Sequence, residues 1–132
     1  MAEAIYKLLI FLKRRSGMSL DAFRDHYENV HARLSLKYSG GGMRRYVRRY
    51  VEPLPQPPGR ESGELHFDVV TELWFDDRAA FENAVKFASR GVLPAEILAD
   101  EERLFDRSRS RYATVVECET DPSSLGGTGR AT

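Results

Sequence analysis

A strand that is apolar on both of its sides cannot be left against water, and this chain carries two of them. In IYKLLIFL (5–12), alternation sets Ile5, Leu9 and Phe11 against Tyr6, Leu8, Ile10 and Leu12. In LHFDVVTELWF (65–75), Phe67, Val69, Leu73 and Phe75 fall on one side. Val70 and Trp74 lie on the other, among His66, Asp68 and Glu72. A sheet made of such strands must be covered twice, once by the chain's own helices and once by something else. A second copy of the sheet is the economical cover, so the residues predict a homodimer.

The segments between and around these strands predict the rest. SGMSLDAF makes a turn with Ser19 as N-cap, and Asp21 and Asp25 sit near the positive end of the helix dipole. The helix runs from about Leu20 to Tyr38 and ends at SGGG (39–42). MRRYVRRYV (43–51) alternates and reads as strand two. EPLPQPPGRESGE (52–64) holds four prolines and two glycines, so it reads as a loop and a mobile flap. After strand three, Asp76 or Asp77 caps DRAAFENAVKFASR, which Gly91 closes; Pro94 opens a shorter helix through Phe105, and RYATVVECE (111–119) is the last strand. The small, polar, glycine-rich tail from Thr120 is expected to be disordered, leaving a domain of residues 1–119 and a tail of 120–132. The order β-α-β-β-α-(α)-β is that of an α+β, ferredoxin-like fold with a four-stranded antiparallel sheet.

Charge narrows the partners. Twenty basic and twenty acidic residues cancel, so no overall field favours nucleic acid or an anionic membrane. RNA-recognition domains share this element order but put basic and aromatic residues on strand three. Here Asp68 and Glu72 stand there and would repel phosphate. The longest apolar run, Leu8 to Leu12, is far too short to span a bilayer, and the N-terminus has no signal-peptide pattern. A single cysteine, Cys118, excludes an internal disulfide and suits a reducing cytoplasm; in a strand-like run it is expected to be a buried, inert thiol.

Two of the three histidines lie in DHYENVH. Counting about 100° per residue, Leu20, Phe23, Tyr27, Val30, Leu34 and Tyr38 make one apolar helix stripe, with His31 inside it. His26 falls about 100° away, on the flank, as a surface or rim residue. Zinc-binding pairs on one helix sit four apart, so this five-residue spacing predicts no metal site. An inward, partly desolvated His31 would be neutral near pH 7 and a competent general base. Its alternative is a core histidine satisfied by a backbone carbonyl.

His66, Asp68, Glu72 and Trp74 share one strand face. Inward carboxylates there imply a wet pocket, with Asp68 orienting His31 or acting as base, or else ion pairs with Arg45 or Arg49. Trp74 is either core or an aromatic wall. Tyr46 is either an edge residue or a donor to a developing oxyanion, and Tyr27 is core or a phenol donor. Asp68 can meet His31 only if both occupy the helix-covered face. If Phe67 and Leu73 face the helices, the pair breaks.

Three segments together resemble the EthD-type family of the dimeric α/β-barrel superfamily: LLIFLKRRSGMSLDAFRDHYENVHARL (8–34), FDVVTELWFDD (67–77) and DEERLFDRSRSRYATVVECE (100–119). They carry its S-x-x-x-F helix start, its aromatic-x-x-V-H segment, its acidic-x-x-x-E-x-W-F strand and its acidic pre-strand run. The resemblance implies a cofactor-free dimer with one pocket per subunit. It implies a lyase or isomerase doing dehydration, decarboxylation, retro-aldol cleavage or isomerisation on a small cyclic or aromatic metabolite. Small metal-free oxygenases occur among related barrels, and a barrel that binds a ligand without turnover is the remaining alternative. His31 and Asp68 become the expected catalytic pair, with Tyr27, Tyr46, Glu72, Trp74 and His66 as substrate-binding residues. Val69 stands where the family's aromatic-D-G sequence has glycine, which could narrow the pocket beside Asp68.

Overall fold

The computed structural model describes residues 4–124. The elements are β1 (Tyr6–Leu12), α1 (Leu20–His26), a π-helical turn (Tyr27–His31), α2 (Ala32–Tyr38), β2 (Met43–Tyr50), β3 (Val69–Phe75), α3 (Arg78–Arg90), α4 (Ala95–Leu104), a 3₁₀ turn (Arg107–Arg109) and β4 (Arg111–Thr114). The strands form one antiparallel sheet in the order β2-β3-β1-β4, the ferredoxin-like arrangement.

The caps are where the residues predict them. Ser19 Oγ accepts the N–H of Ala22, Asp77 accepts that of Ala79, and Gly91 ends α3 at φ 65°. Register sorts the side chains into two faces. Leu8, Ile10 and Leu12 of β1 lie on the helix side with Thr71, Leu73 and Phe75 of β3 and Tyr46 of β2. Behind them, Lys7, Trp74 and Arg45 stand in one cross-strand row, with Lys7 Nζ 3.9 Å and the Arg45 guanidinium 4.5 Å from the indole centre. Leu73 therefore faces the helices, and Glu72 and Trp74 do not.

The packed core occupies one end of the helix layer, where Phe23 and Tyr27 meet Leu12, Val69, Leu104 and Phe105. The rings of Phe23, Tyr27 and Phe105 meet edge to face at 5.7–6.2 Å, the arrangement favoured by their quadrupoles. The C-terminus of α4 is stitched to the extension of β1: Arg15 N–H donates to Leu104 O at 2.8 Å and Asp106 N–H to Lys13 O at 2.9 Å. Position along α4 is thereby fixed relative to the sheet.

Three expectations need correction. Strand three begins at Val69, not residue 65, and His66 stands outside it, exposed, 3.1 Å from Glu61. The last strand stops at Thr114, because β4 pairs only along Leu8–Phe11 of β1; beyond it Lys7 holds Glu117 by a side-chain ion pair at 2.8 Å instead. Cys118 lies past that end and is exposed, not buried. The loop at 52–64 is exposed but tied at its close, where Glu64 pairs with Lys13 and Arg14. Residues 122–124 form a single helical turn; the remainder of the expected disordered tail, 125–132, lies outside the described residues. No described helix is long and apolar enough to cross a membrane.

Candidate active site

Between the sheet and the helices, bordering the core and sharing Leu12, Tyr27 and Phe105 with it, lies a cavity of about 740 Å³. Leu8, Ile10, Leu73 and Phe75 make its floor, and Ala84, Phe87 and Ala88 of α3 its roof. That size suits a small organic molecule, and so does a mostly apolar lining with a few convergent polar groups. The polar groups come chiefly from the helical rod of α1, the π-turn and α2, together with β2 and β3.

His31 lines this cavity while remaining buried in the fold. Its Nδ1–H donates to Asp100 Oδ2 at 3.0 Å, which leaves Nε2 as the nitrogen available to a ligand. Asp100 is only 1% exposed, and a carboxylate so desolvated costs several kcal/mol unless it is hydrogen-bonded and paired. It is served twice: Oδ2 by His31, and Oδ1 by His26 Nε2 at 2.7 Å. Burial pushes the His31 imidazole below its ordinary value, while the bond to Asp100 pulls the other way and the charge of His26 pushes further down. The ring is neutral near pH 7, with its tautomer set by the carboxylate. That is the state a general base requires.

The π-turn makes this possible. Its Ala32 N–H reaches back to Tyr27 O, five residues earlier, and so rotates the rod by an extra residue. On a plain α-helix His26 and His31 would diverge; here both rings meet one carboxylate. His26 is therefore not a detached rim residue.

A second polar group faces His31. Tyr27 Oη and Thr71 Oγ1 share a 2.6 Å hydrogen bond, and Tyr46 Oη donates to Tyr27 Oη at 3.4 Å. Burial raises both phenols, Tyr27 well above its ordinary value, so each remains a proton-bearing donor. Tyr27 also stands edge-on to the His31 ring at 5.3 Å. On the far wall Glu101 is raised by burial against the opposing pull of Arg107, 3.3 Å away.

The expected residues therefore divide. The structure brings His31, Tyr27 and Tyr46 together around the cavity. It does not bring Asp68 to them. Asp68 Oδ2 accepts the Arg14 backbone N–H at 2.8 Å and lies 3.5 Å from Lys13 Nζ, where β1 leaves β3. Its position is a structural knot, because its strand register carries it away from the helix-side row of Thr71 and Leu73. Glu72 is held on the opposite sheet face by Arg49 at 2.7 Å and by the Trp74 indole N–H at 2.8 Å. Trp74 itself is enclosed by two cations, and His66 is on the surface.

Asp100 was the residue that sequence reasoning missed, yet a signal was present. Ile97, Asp100 and Leu104 fall on one buried stripe of α4, and an acid in an otherwise apolar stripe demands a partner.

Comparisons with known proteins agree with this architecture. A family model described as the EthD domain matches residues 15–108. Among solved structures, an ethyl tert-butyl ether D (EthD) family protein of Bacillus halodurans C-125 has a TM-score of 0.57 at 21% identity, over 87% of this chain and 100% of that one. An EthD-like protein of Ralstonia eutropha JMP134 gives 0.55 at 16%, over 93% and 99%. A hypothetical Arabidopsis thaliana protein gives 0.55 at 11%, over 91% and 94%. At these identities the likeness is one of fold. No curated protein sequence matches this chain.

Proposed function

The chain belongs to the EthD family, and on that premise we propose that it is a cofactor-independent lyase or isomerase, working as a cytoplasmic homodimer, that moves a proton on a small cyclic or aromatic metabolite. One observation carries this reading: the cavity holds a single imidazole whose Nδ1 is bound by a buried carboxylate, His31 on Asp100.

The chemistry follows from the placement. His31 Nε2 takes a proton from a carbon next to a carbonyl, and Asp100 stabilises the imidazolium that forms. The single O–H of Tyr46, given to Tyr27 Oη over 3.4 Å at rest, turns to the oxyanion of the enolate when that forms. The imidazolium then returns its proton, to a different atom in an isomerisation or to a departing group in an elimination. Apolar walls at Leu73, Phe75 and Phe87 favour a flat, largely uncharged ring. Half-buried Leu9, Phe11, Val47 and Val70 on the opposite sheet face, together with Val116 at 90% exposure, support a second copy as its cover.

The test is deuterium exchange. Purified protein is incubated in D₂O with a panel of enolisable cyclic ketones and hydroxyaromatic ketones, without oxygen, and exchange at the α-carbon is followed by NMR. Wild-type protein should accelerate exchange on at least one ring class, and His31→Ala should not. Equal exchange by the two proteins overturns the assignment, as does exchange that needs oxygen.

A further inference from the structure

We propose that His26 is a positioning residue for the His31–Asp100 pair: gripping Asp100 Oδ1 from outside the cavity, it fixes the carboxylate and makes the proton affinity of His31 answer to its own charge. The inference rests on the reading of His31 as the cavity's proton acceptor.

Three observations carry it. First, orienting His31 needs only one oxygen of Asp100, yet both are taken, Oδ1 by His26 Nε2 at 2.7 Å and Oδ2 by His31 Nδ1 at 3.0 Å. Second, exposure is graded along the three side chains: 28% for His26, 1% for Asp100 and 6% for His31. The outer ring reaches solvent, whereas the inner one is enclosed. Third, the two rings converge only because of the π-turn at Tyr27–His31, an uncommon helical geometry that His31 alone would not require.

Two imidazolium rings on one buried carboxylate would leave a net positive charge in the interior. The two protonations therefore oppose each other. Other charges face the same group. On α4, Arg103 Nη1 lies 3.8 Å from Asp100 Oδ1, though its side chain is largely exposed, and Glu101 is neutralised by Arg107. From the π-turn, Tyr27 presents a ring edge to His31 and stays uncharged across the range concerned. None of these joins Asp100 through a ring that titrates between the acidic and neutral ranges. Charging His26 lowers the proton affinity of His31, so His31 stays a neutral base further into acid than it would beside an uncharged His26.

The imidazole Cε1–H signals of the whole protein, followed by NMR against pH, give a readout that needs no substrate. In wild type, the His31 signal should move in two steps rather than one, while His66, exposed beside Glu61 and outside this cluster, serves as the control. His26→Gln keeps an N–H for Asp100 but carries no charge, so His31 should titrate in one step displaced to higher pH. His26→Ala should displace it in the same direction. A His31 curve unchanged by either variant overturns the proposal. So does an equal displacement in Arg103→Gln, which would mark the effect as general electrostatics. Should His31→Ala exchange deuterium as fast as wild type while wild-type His31 shows the two-step curve, the catalytic reading fails and the coupling stands.

Discussion

His31 and Asp100, separated by 69 positions in the chain, meet at 3.0 Å through Nδ1 and Oδ2. Two separate devices bring them together. The π-turn sets the angle of the ring, and the backbone bonds joining Leu104 and Asp106 to the β1 extension set the height of α4. Neither device involves Asp68, which serves the opposite need of closing the corner where β1 parts from β3.

Substituting the two acids should separate these roles. Asp100→Asn leaves the shape but no longer enforces the tautomer, and turnover should fall roughly 10²- to 10⁴-fold. Asp68→Asn should leave kcat per folded molecule unchanged and cost about 1–3 kcal/mol of stability, since a buried partner of Arg14 N–H and Lys13 is weakened. Initial rates and urea unfolding distinguish the two outcomes.

The depressed proton affinity of His31 has a kinetic sign and a thermodynamic one. A base that must be neutral loses activity only as pH falls below its lowered value, so the acid limb of kcat/KM should lie below that of a free imidazole. The unfolded chain binds the proton more readily. The contribution of His31 to stability is therefore complete above the ordinary histidine value and lost as pH falls from there toward the lowered one. In His31→Gln, denaturant midpoints measured across that window should lose this part of their slope.

Tyr27 and Tyr46 should respond differently to loss of the hydroxyl. Tyr27→Phe leaves the buried Thr71 hydroxyl without its 2.6 Å partner and should cost about 1–2 kcal/mol in thermal or urea unfolding. Tyr46→Phe leaves that bond intact. It should change stability little and slow exchange, because only the outer donor is removed.

Gly42 should tolerate no side chain. Its φ of 94° lies in the left-handed region, and an added Cβ would sit 2.7 Å from Ala80 Cβ in the first turn of α3. Gly42→Ala should lower stability by about 1–3 kcal/mol, read as a drop in Tm. Gly40→Ala, where nothing lies within 4 Å, is the control.

Cys118 is expected to react in the native state. Because the last strand ends at Thr114, the thiol is exposed, and Ellman's reagent should titrate it as readily in the folded protein as in urea.

The elements were legible because their patterns are local. Alternation in 5–12 and in 69–75, Ser19 and Asp77 as caps, and Gly91 as a terminator each act within a few residues, and the fold agrees with them; the alternation expected from residue 65 belongs to a strand only from Val69 on. The candidate site was legible only in part. His31, Tyr27 and Tyr46 are placed by period, but the expected partner Asp68 is not, because whether it meets His31 depends on which sheet face the helices cover. Counting about 100° per residue also fails across Tyr27–His31, where the hydrogen-bond pattern changes without any breaker residue to announce it. That is why His26 read as a bystander.

The asymmetry of the cavity's walls has an evolutionary consequence. The titratable groups around the cavity stand on the sheet or on the helical rod and α4, whereas α3 contributes Ala80, Asn83, Ala84, Phe87 and Ala88 and has no fully buried residue of its own. Apart from Ala80, which packs on Gly42, and Phe81, which stacks on Tyr6, its residues can be exchanged for larger or smaller ones at little expense to folding. A lineage built on this plan can thus refit the chamber to new guests by rewriting one helix, while the machinery beneath is inherited untouched.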